Sequence, residues 1–152
     1  MTGGGGVEAM LVVEPDALET IRRHGAETYP HECCGALVGR LDGADAAVVV
    51  EALPLPNTTE EGPRRRFLVR PADYRAAERH AAARRAELVG FYHSHPDAPA
   101  RPSAYDLEHA WPVFRYVIVS VAGGRPGELT CWRLRDDRSG FDREELSWRT
   151  RS

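Results

Sequence analysis

A single α/β (α+β) domain built on a mixed β-sheet between helices is the fold class this sequence predicts. Helix-like and strand-like stretches interleave irregularly, and one pair of strands is joined closely enough to be a hairpin. No stretch repeats another. The 152 residues suit one domain, since domains commonly run to about 100–200 residues. An apolar share of 42% fills one core without disulfide staples. Residues 1–6 read as a flexible glycine-rich lead-in, and residues 7–152 as the folded domain.

Residues 7–13 end in Leu-Val-Val and read as a short strand. Pro15 opens a helix with Leu18, Ile21 and Ala26 on its apolar side and Arg22 and Arg23 outside. Tyr29-Pro30 ends it, because a residue before proline is pushed out of the α region. Residues 33–39 are small and aliphatic, a buried strand; residues 46–53, with Val48-Val49-Val50 at their centre, are another. A loop rich in Pro, Thr, Glu and Arg spans 54–66, followed by a short strand at 67–69. Pro71 starts the longest helix, expected to run to about Glu87, with Tyr74, Ala77, Ala81 and Leu88 at helical spacing. Residues 88–92 form a buried strand leading into His93. A proline-rich loop follows at 96–102, then a short helix over 103–111 that stops before Pro112. Residues 113–121 are the strongest strand. Residues 123–127 turn the chain, and 129–134 pair back as the hairpin partner. Residues 144–148 fit a final helical turn or a strand.

Twenty basic side chains against twenty-three acidic ones leave a formal charge of −3. That balance supplies no basic field for nucleic acid or anionic lipid. Residues 116–122, the longest apolar stretch without charge, fall far short of the ~18 a membrane span needs. The amino-terminal residues lack a basic n-region and an apolar h-region, so a cytoplasmic protein is expected. Every basic residue is arginine, which removes a Walker-loop lysine and any lysine Schiff base. Cys33, Cys34 and Cys131 make no Cys-x-x-Cys pair and read as reduced core residues.

Chemistry concentrates in His93-Ser94-His95-Pro96 and, after six residues, Ser103-Ala-Tyr-Asp106. Two imidazoles at i and i+2 of an extended backbone project to one side. A catalytic zinc takes three protein ligands and keeps a fourth position open. Asp106, in the first turn of the next helix, can approach from another direction as the third ligand. Other readings compete. His-x-His alone is a weak signal, and Ser103 with Asp106 is also a capping box. Asp97 and Glu108 are acids within reach, although Asp97 would have to fold back sharply. His109, one turn past Asp106, could support that carboxylate from behind. His31-Glu32-Cys33-Cys34-Gly35 begins like the zincin His-Glu-x-x-His, but Gly35 stands where the second histidine belongs. His31 is therefore an exposed loop residue. Glu32 enters an apolar strand, where a carboxylate meets the edge of a core.

Taken together, Glu32 before a small-residue strand, His-Ser-His-Pro, six residues, and Ser-x-x-Asp resemble the JAMM (MPN-plus) zinc metalloproteases. The resemblance covers roughly residues 11–134 and is strongest to short prokaryotic members with Cys-Cys-Gly after the glutamate. It implies a curved sheet flanked by helices, with the metal at the end of the His-bearing strand. It also implies one Zn²⁺ per chain on His93, His95 and Asp106, Glu32 as general acid/base, and Ser103 assisting the oxyanion. Capping and oxyanion duty then compete for a single hydroxyl. The implied reaction is amide hydrolysis, as by an isopeptidase. The implied partner is a ubiquitin-like or ThiS/MoaD-type sulfur-carrier protein with a Gly-Gly tail. Such a tail could add to a sheet edge beside the 54–66 loop, where Arg64, Arg65 and Arg66 could meet an acidic carrier. The rivals are a catalytically silent MPN scaffold and a structural-zinc module closed by Cys33 or Cys34. A nucleobase deaminase is excluded, because its His-x-Glu and Pro-Cys-x-x-Cys pattern is absent.

Overall fold

The computed structural model describes residues 10–43, 45–57 and 69–148. The lead-in at 1–6, the start of the first expected strand, Arg64 to Arg66 and the expected strand residues 67 and 68 lie outside them. Val69, the remaining residue of that strand, is irregular.

β1 (Met10–Val13) pairs in parallel with β3 (Ala46–Leu55) on one side and β7 (Phe141–Trp148) on the other. β2 (Cys34–Asp42) is antiparallel to β3 and to β4 (Glu87–Pro96). β4 runs parallel to β5 (Arg115–Ala122), which turns back into β6 (Arg125–Leu134), and β6 meets β7 antiparallel. The order β1–β3–β2–β4–β5–β6–β7 closes into a barrel. The sequence leads to a curved mixed sheet, and the curvature goes to closure. Register shifts at Val38/Gly39, Leu37/Val38 and Val119/Val121 add twist. Four residues of β1 then seal the gap.

α1 (Pro15–Thr28) lies on one face of the sheet, where Ala17, Leu18 and Ile21 join Leu37, Val49, Tyr92 and Val119 in the larger core cluster. Gly25, not the expected Ala26, completes its buried side. A Cβ on Gly25 would stand 3.1 Å from Val121, so helix and strand approach as closely as a missing side chain allows. Arg23 is outside as expected, but half-buried Arg22 lies over the Trp148 ring. α2 (Pro71–Ala83) and α3 (Ala104–His109) cover the opposite face through Ala77 and Leu107, with Ala110 just past α3, against Phe91 and Tyr116.

Several boundaries differ from the sequence reading. α2 stops at Ala83 rather than near Glu87. Arg85 adopts φ 58°, Ala86 N–H donates to the Ala81 carbonyl and Arg85 N–H to that of Ala82. That is a Schellman ending with arginine in the usual glycine place, and no sequence signal announces it. Val113, at φ 72°, is an exposed turn residue, so β5 begins at Arg115. The turn before β6 is confined to Gly123 and Gly124, both at positive φ. Residues 144–148 resolve as strand, because Glu144 pairs with Cys131 of β6 and residues 145–148 pair with β1.

Candidate active site

β2 and β4 run through the middle of the sheet with both faces covered, which is why residues 34–39 and 89–95 are buried almost without interruption. Gly35 is required here. A Cβ at that position would fall 2.2 Å from the Tyr92 ring, which crosses over it and bonds His24 Nδ1 at 2.8 Å. The apolar strand thus carries two buried histidines into its carboxyl end. His93 and His95 project to one face, as the i, i+2 spacing requires.

Their Nε2 atoms stand 3.1 Å apart, and Asp106 Oδ2 lies 3.3 Å from each. Ligands ~2.0–2.1 Å from a tetrahedral zinc stand about 3.3–3.4 Å from one another. The three atoms are therefore spaced as such a metal would hold them, and all three side chains are buried. Nitrogen, nitrogen and carboxylate oxygen are a donor set that zinc accepts, with one position left over. His95 Nδ1 meets the Pro99 carbonyl at 2.9 Å. A carbonyl only accepts, so Nδ1 carries the proton and Nε2 is the nitrogen offered to a metal.

α3 brings in Asp106 through its first turn. Ser103 Oγ accepts from Asp106 N–H at 3.1 Å, and Asp106 Oδ2 accepts from Ser103 N–H at 2.8 Å. The capping box is thus formed, and the carboxylate oxygen that takes part in it is the one aimed at the imidazoles. Capping and ligation are one arrangement here. Only an acceptor lone pair of Ser103 is used in the cap, which leaves its O–H proton to donate.

Charge follows geometry. Burial alone would raise the Asp106 carboxyl, but His93, then His95 and the Ser103 amide, hold it far below the usual carboxylate range. Burial lowers His93, with Asp106 opposing only in part. Burial also works against a charged His95, yet bonds to Asp106 and Pro99 and the charges of Asp106 and Glu32 outweigh it and raise that imidazole. Glu32 is buried at the entry to β2. The β2–β4 register pairs Cys34 with His93, and continued two residues it brings Glu32 level with His95.

The other candidates fall outside the cluster. Asp97 turns away at φ 54°, accepting from Gly123 N–H and the Tyr29 hydroxyl. His109 stacks on Tyr105 and bonds its carbonyl, so it does not back Asp106. Glu108 is exposed, as is His31. Cys33, Cys34 and Cys131 are free and buried. Burial pushes their thiols up to about 11, 12 and 12 respectively, and none of them joins the His93, His95 and Asp106 cluster. Sequence reasoning missed Pro99, whose backbone carbonyl orients His95, and Asn57, whose side-chain amide donates to the Glu32 carbonyl at 3.0 Å. Neither carries a sequence signal.

A closed mixed sheet with two imidazoles at the end of a central strand and a carboxylate on the next helix defines the class: an α+β domain with a buried His-His-Asp cluster that could hold a metal ion. The chain belongs to the family described as prokaryotic homologs of the JAB domain, which matches residues 14–135. A desampylase of Haloferax volcanii is 36% identical over 118 residues, covering 74% of this chain and 82% of that protein. A probable TtuB-protein conjugate cleaving protease of Thermus thermophilus is 33% identical over 123 residues, covering 80% and 78%. Tail tip assembly protein K of Escherichia phage N15 is 36% identical over 136 residues, and the match spans 77% of this chain but 51% of that longer protein. The solution structure of a Desulfitobacterium hafniense protein superposes with TM-score 0.81 at 30% identity, over 93% of this chain and 94% of the other. A JAB1/MPN domain protein of Archaeoglobus fulgidus shares the fold, with TM-score 0.56 at 22% identity, over 90% and 96%.

Proposed function

We propose that this protein is a zinc-dependent isopeptidase that hydrolyses an amide bond at the C-terminal tail of a ubiquitin-like or ThiS/MoaD-type sulfur-carrier protein. The observation that carries this reading is the convergence of His93 Nε2, His95 Nε2 and Asp106 Oδ2 beside buried Glu32. The relatives named as a desampylase and a conjugate-cleaving protease support the substrate class. The three reduced thiols accord with a cytoplasmic setting.

His93, His95 and Asp106 would hold the zinc ion, which would supply a Lewis acid to acidify water at neutral pH and polarise the scissile carbonyl. Glu32 accepts the proton of the attacking water and returns it to the leaving amine, a contribution of about 10²–10⁴ in rate. The Ser103 hydroxyl, capping with its lone pair, donates its proton to the developing oxyanion, worth about 10²–10³. An extended tail fits the β-addition mode of recognition. Among the described residues, β3 beyond Val49 pairs only on its β2 side.

The test is mass spectrometry of a carrier protein fused through its Gly-Gly tail to a second protein, incubated with the zinc-loaded enzyme. Cleavage after the second glycine is expected. Glu32→Gln keeps its zinc and loses at least about 10²-fold in turnover. Loss of zinc in that variant would make Glu32 a ligand, and normal turnover would leave the reaction without its base. Full zinc binding with no cleavage of any tailed fusion would favour a silent scaffold.

A further inference from the structure

The peptide unit joining Glu32 to Cys33 is held in an unusual way. Both residues precede β2, whose ladder begins at Cys34. Ser94 N–H donates to the Cys33 carbonyl at 3.2 Å, as an antiparallel pair requires. The reciprocal bond is not backbone to backbone. Cys33 N–H instead donates to Ser94 Oγ at 2.8 Å, in a fully buried position. At the other end of the same peptide plane, the Glu32 carbonyl accepts from Asn57 Nδ2 at 3.0 Å. The N–H and the C=O of this one plane are thus both met by side chains, one from β4 and one from just beyond β3.

The plane's orientation fixes the Cα of Glu32, and the two side chains fix the plane. Ser94 stands between the two histidines, so its hydroxyl refers the position of Glu32 directly to the strand that carries the metal ligands. We propose that Ser94 and Asn57 are positioning residues that set the Glu32 carboxylate against the metal centre. This rests on the reading of Glu32 as general acid/base. Misplacing a reacting group by about 1 Å costs on the order of 10²-fold in rate. With Ser94→Ala, the Cys33 N–H loses its acceptor, and the Glu32–Cys33 peptide plane loses its hold on that side. With Asn57→Asp the shape is kept, but an acceptor faces the Glu32 carbonyl.

Expected for each variant is a kcat lowered by about 10–10²-fold, with KM and zinc affinity within about twofold of wild type. Ser94→Thr, which retains the hydroxyl, recovers most of the loss. In a Glu32→Gln background neither substitution lowers turnover further, because both act through the group already removed. Losses that multiply with Glu32→Gln, or a fall in zinc affinity as large as the fall in kcat, overturn the proposal. Amide exchange followed by NMR on the zinc-loaded protein, without substrate, separates this outcome from a failure of the isopeptidase reading. The Cys33 amide should exchange at least about tenfold faster in Ser94→Ala, with Ala36 unchanged. Equal protection of Cys33 in both proteins also overturns the clamp, whether or not any fusion is cleaved.

Discussion

Asp106 Oδ2 accepts the Ser103 amide and lies 3.3 Å from both imidazoles, so the bond that starts α3 also aims the carboxylate. Asp106→Asn keeps the shape but places an amide, a poorer ligand, in the cluster. Zinc affinity should fall at least about tenfold, read by competition with a chelating dye; unchanged affinity would remove Asp106 from the ligand set. A second residue-level consequence concerns His24, whose imidazole burial pushes below the ordinary value while its Nδ1 meets the Tyr92 hydroxyl. A depressed pKa means the unfolded chain binds the proton more readily than the folded one. Stability is then complete above the ordinary histidine value of about 6.5 and is lost as pH falls through the lowered folded value. Urea midpoints measured between pH 7 and pH 5 should decline, and His24→Gln should flatten that decline. A slope unchanged in the variant would assign the loss elsewhere.

At the scale of elements, α3 has only six residues and depends on its cap. Ser103→Ala removes the bond to Asp106 N–H but leaves the Ser103 amide on Asp106 Oδ2. Zinc content should therefore hold and stability fall by about 0.5–2 kcal/mol. The lost O–H donor should lower kcat by about 10²–10³. A variant that melts early yet turns over normally would confine Ser103 to capping. The sequence is legible here because His-x-His and Ser-x-x-Asp are local patterns tied to one strand and one turn. The existence of β2, β3, β5 and both long helices is equally plain, since each strand carries its own apolar run and each helix a proline at its start. What escaped reading depends on distant partners. Residues 144–148 are ambiguous until β6 takes Glu144 and β1 takes the rest, and Arg85 gives no hint that it will end a helix at positive φ. Asn57 and Pro99 are invisible because a side-chain amide and a backbone carbonyl acquire meaning only from what the fold sets beside them.

For the molecule as a whole, the candidate ligands His93, His95 and Asp106 are mounted on a barrel held by its own ladders and two core clusters. Chelation should leave the far-ultraviolet circular dichroism of the β structure intact, unlike a zinc finger, which unfolds without its ion. Returning zinc at 100 times its Kd should then stabilise the fold by about 2.7 kcal/mol and raise Tm accordingly. A protein that loses its β signal on chelation would make the metal structural. The seam between β1 and β7 has a different consequence. It joins the first described strand to the last described one, pairing Leu11 with Leu146 and Val13 with Trp148. During synthesis, β2, β4 and α3 leave the ribosome well before β7 does. Until β7 arrives, the edges of β1 and β6 that it joins stay unpaired, and a nascent chain paused there would offer chaperones an unfinished barrel.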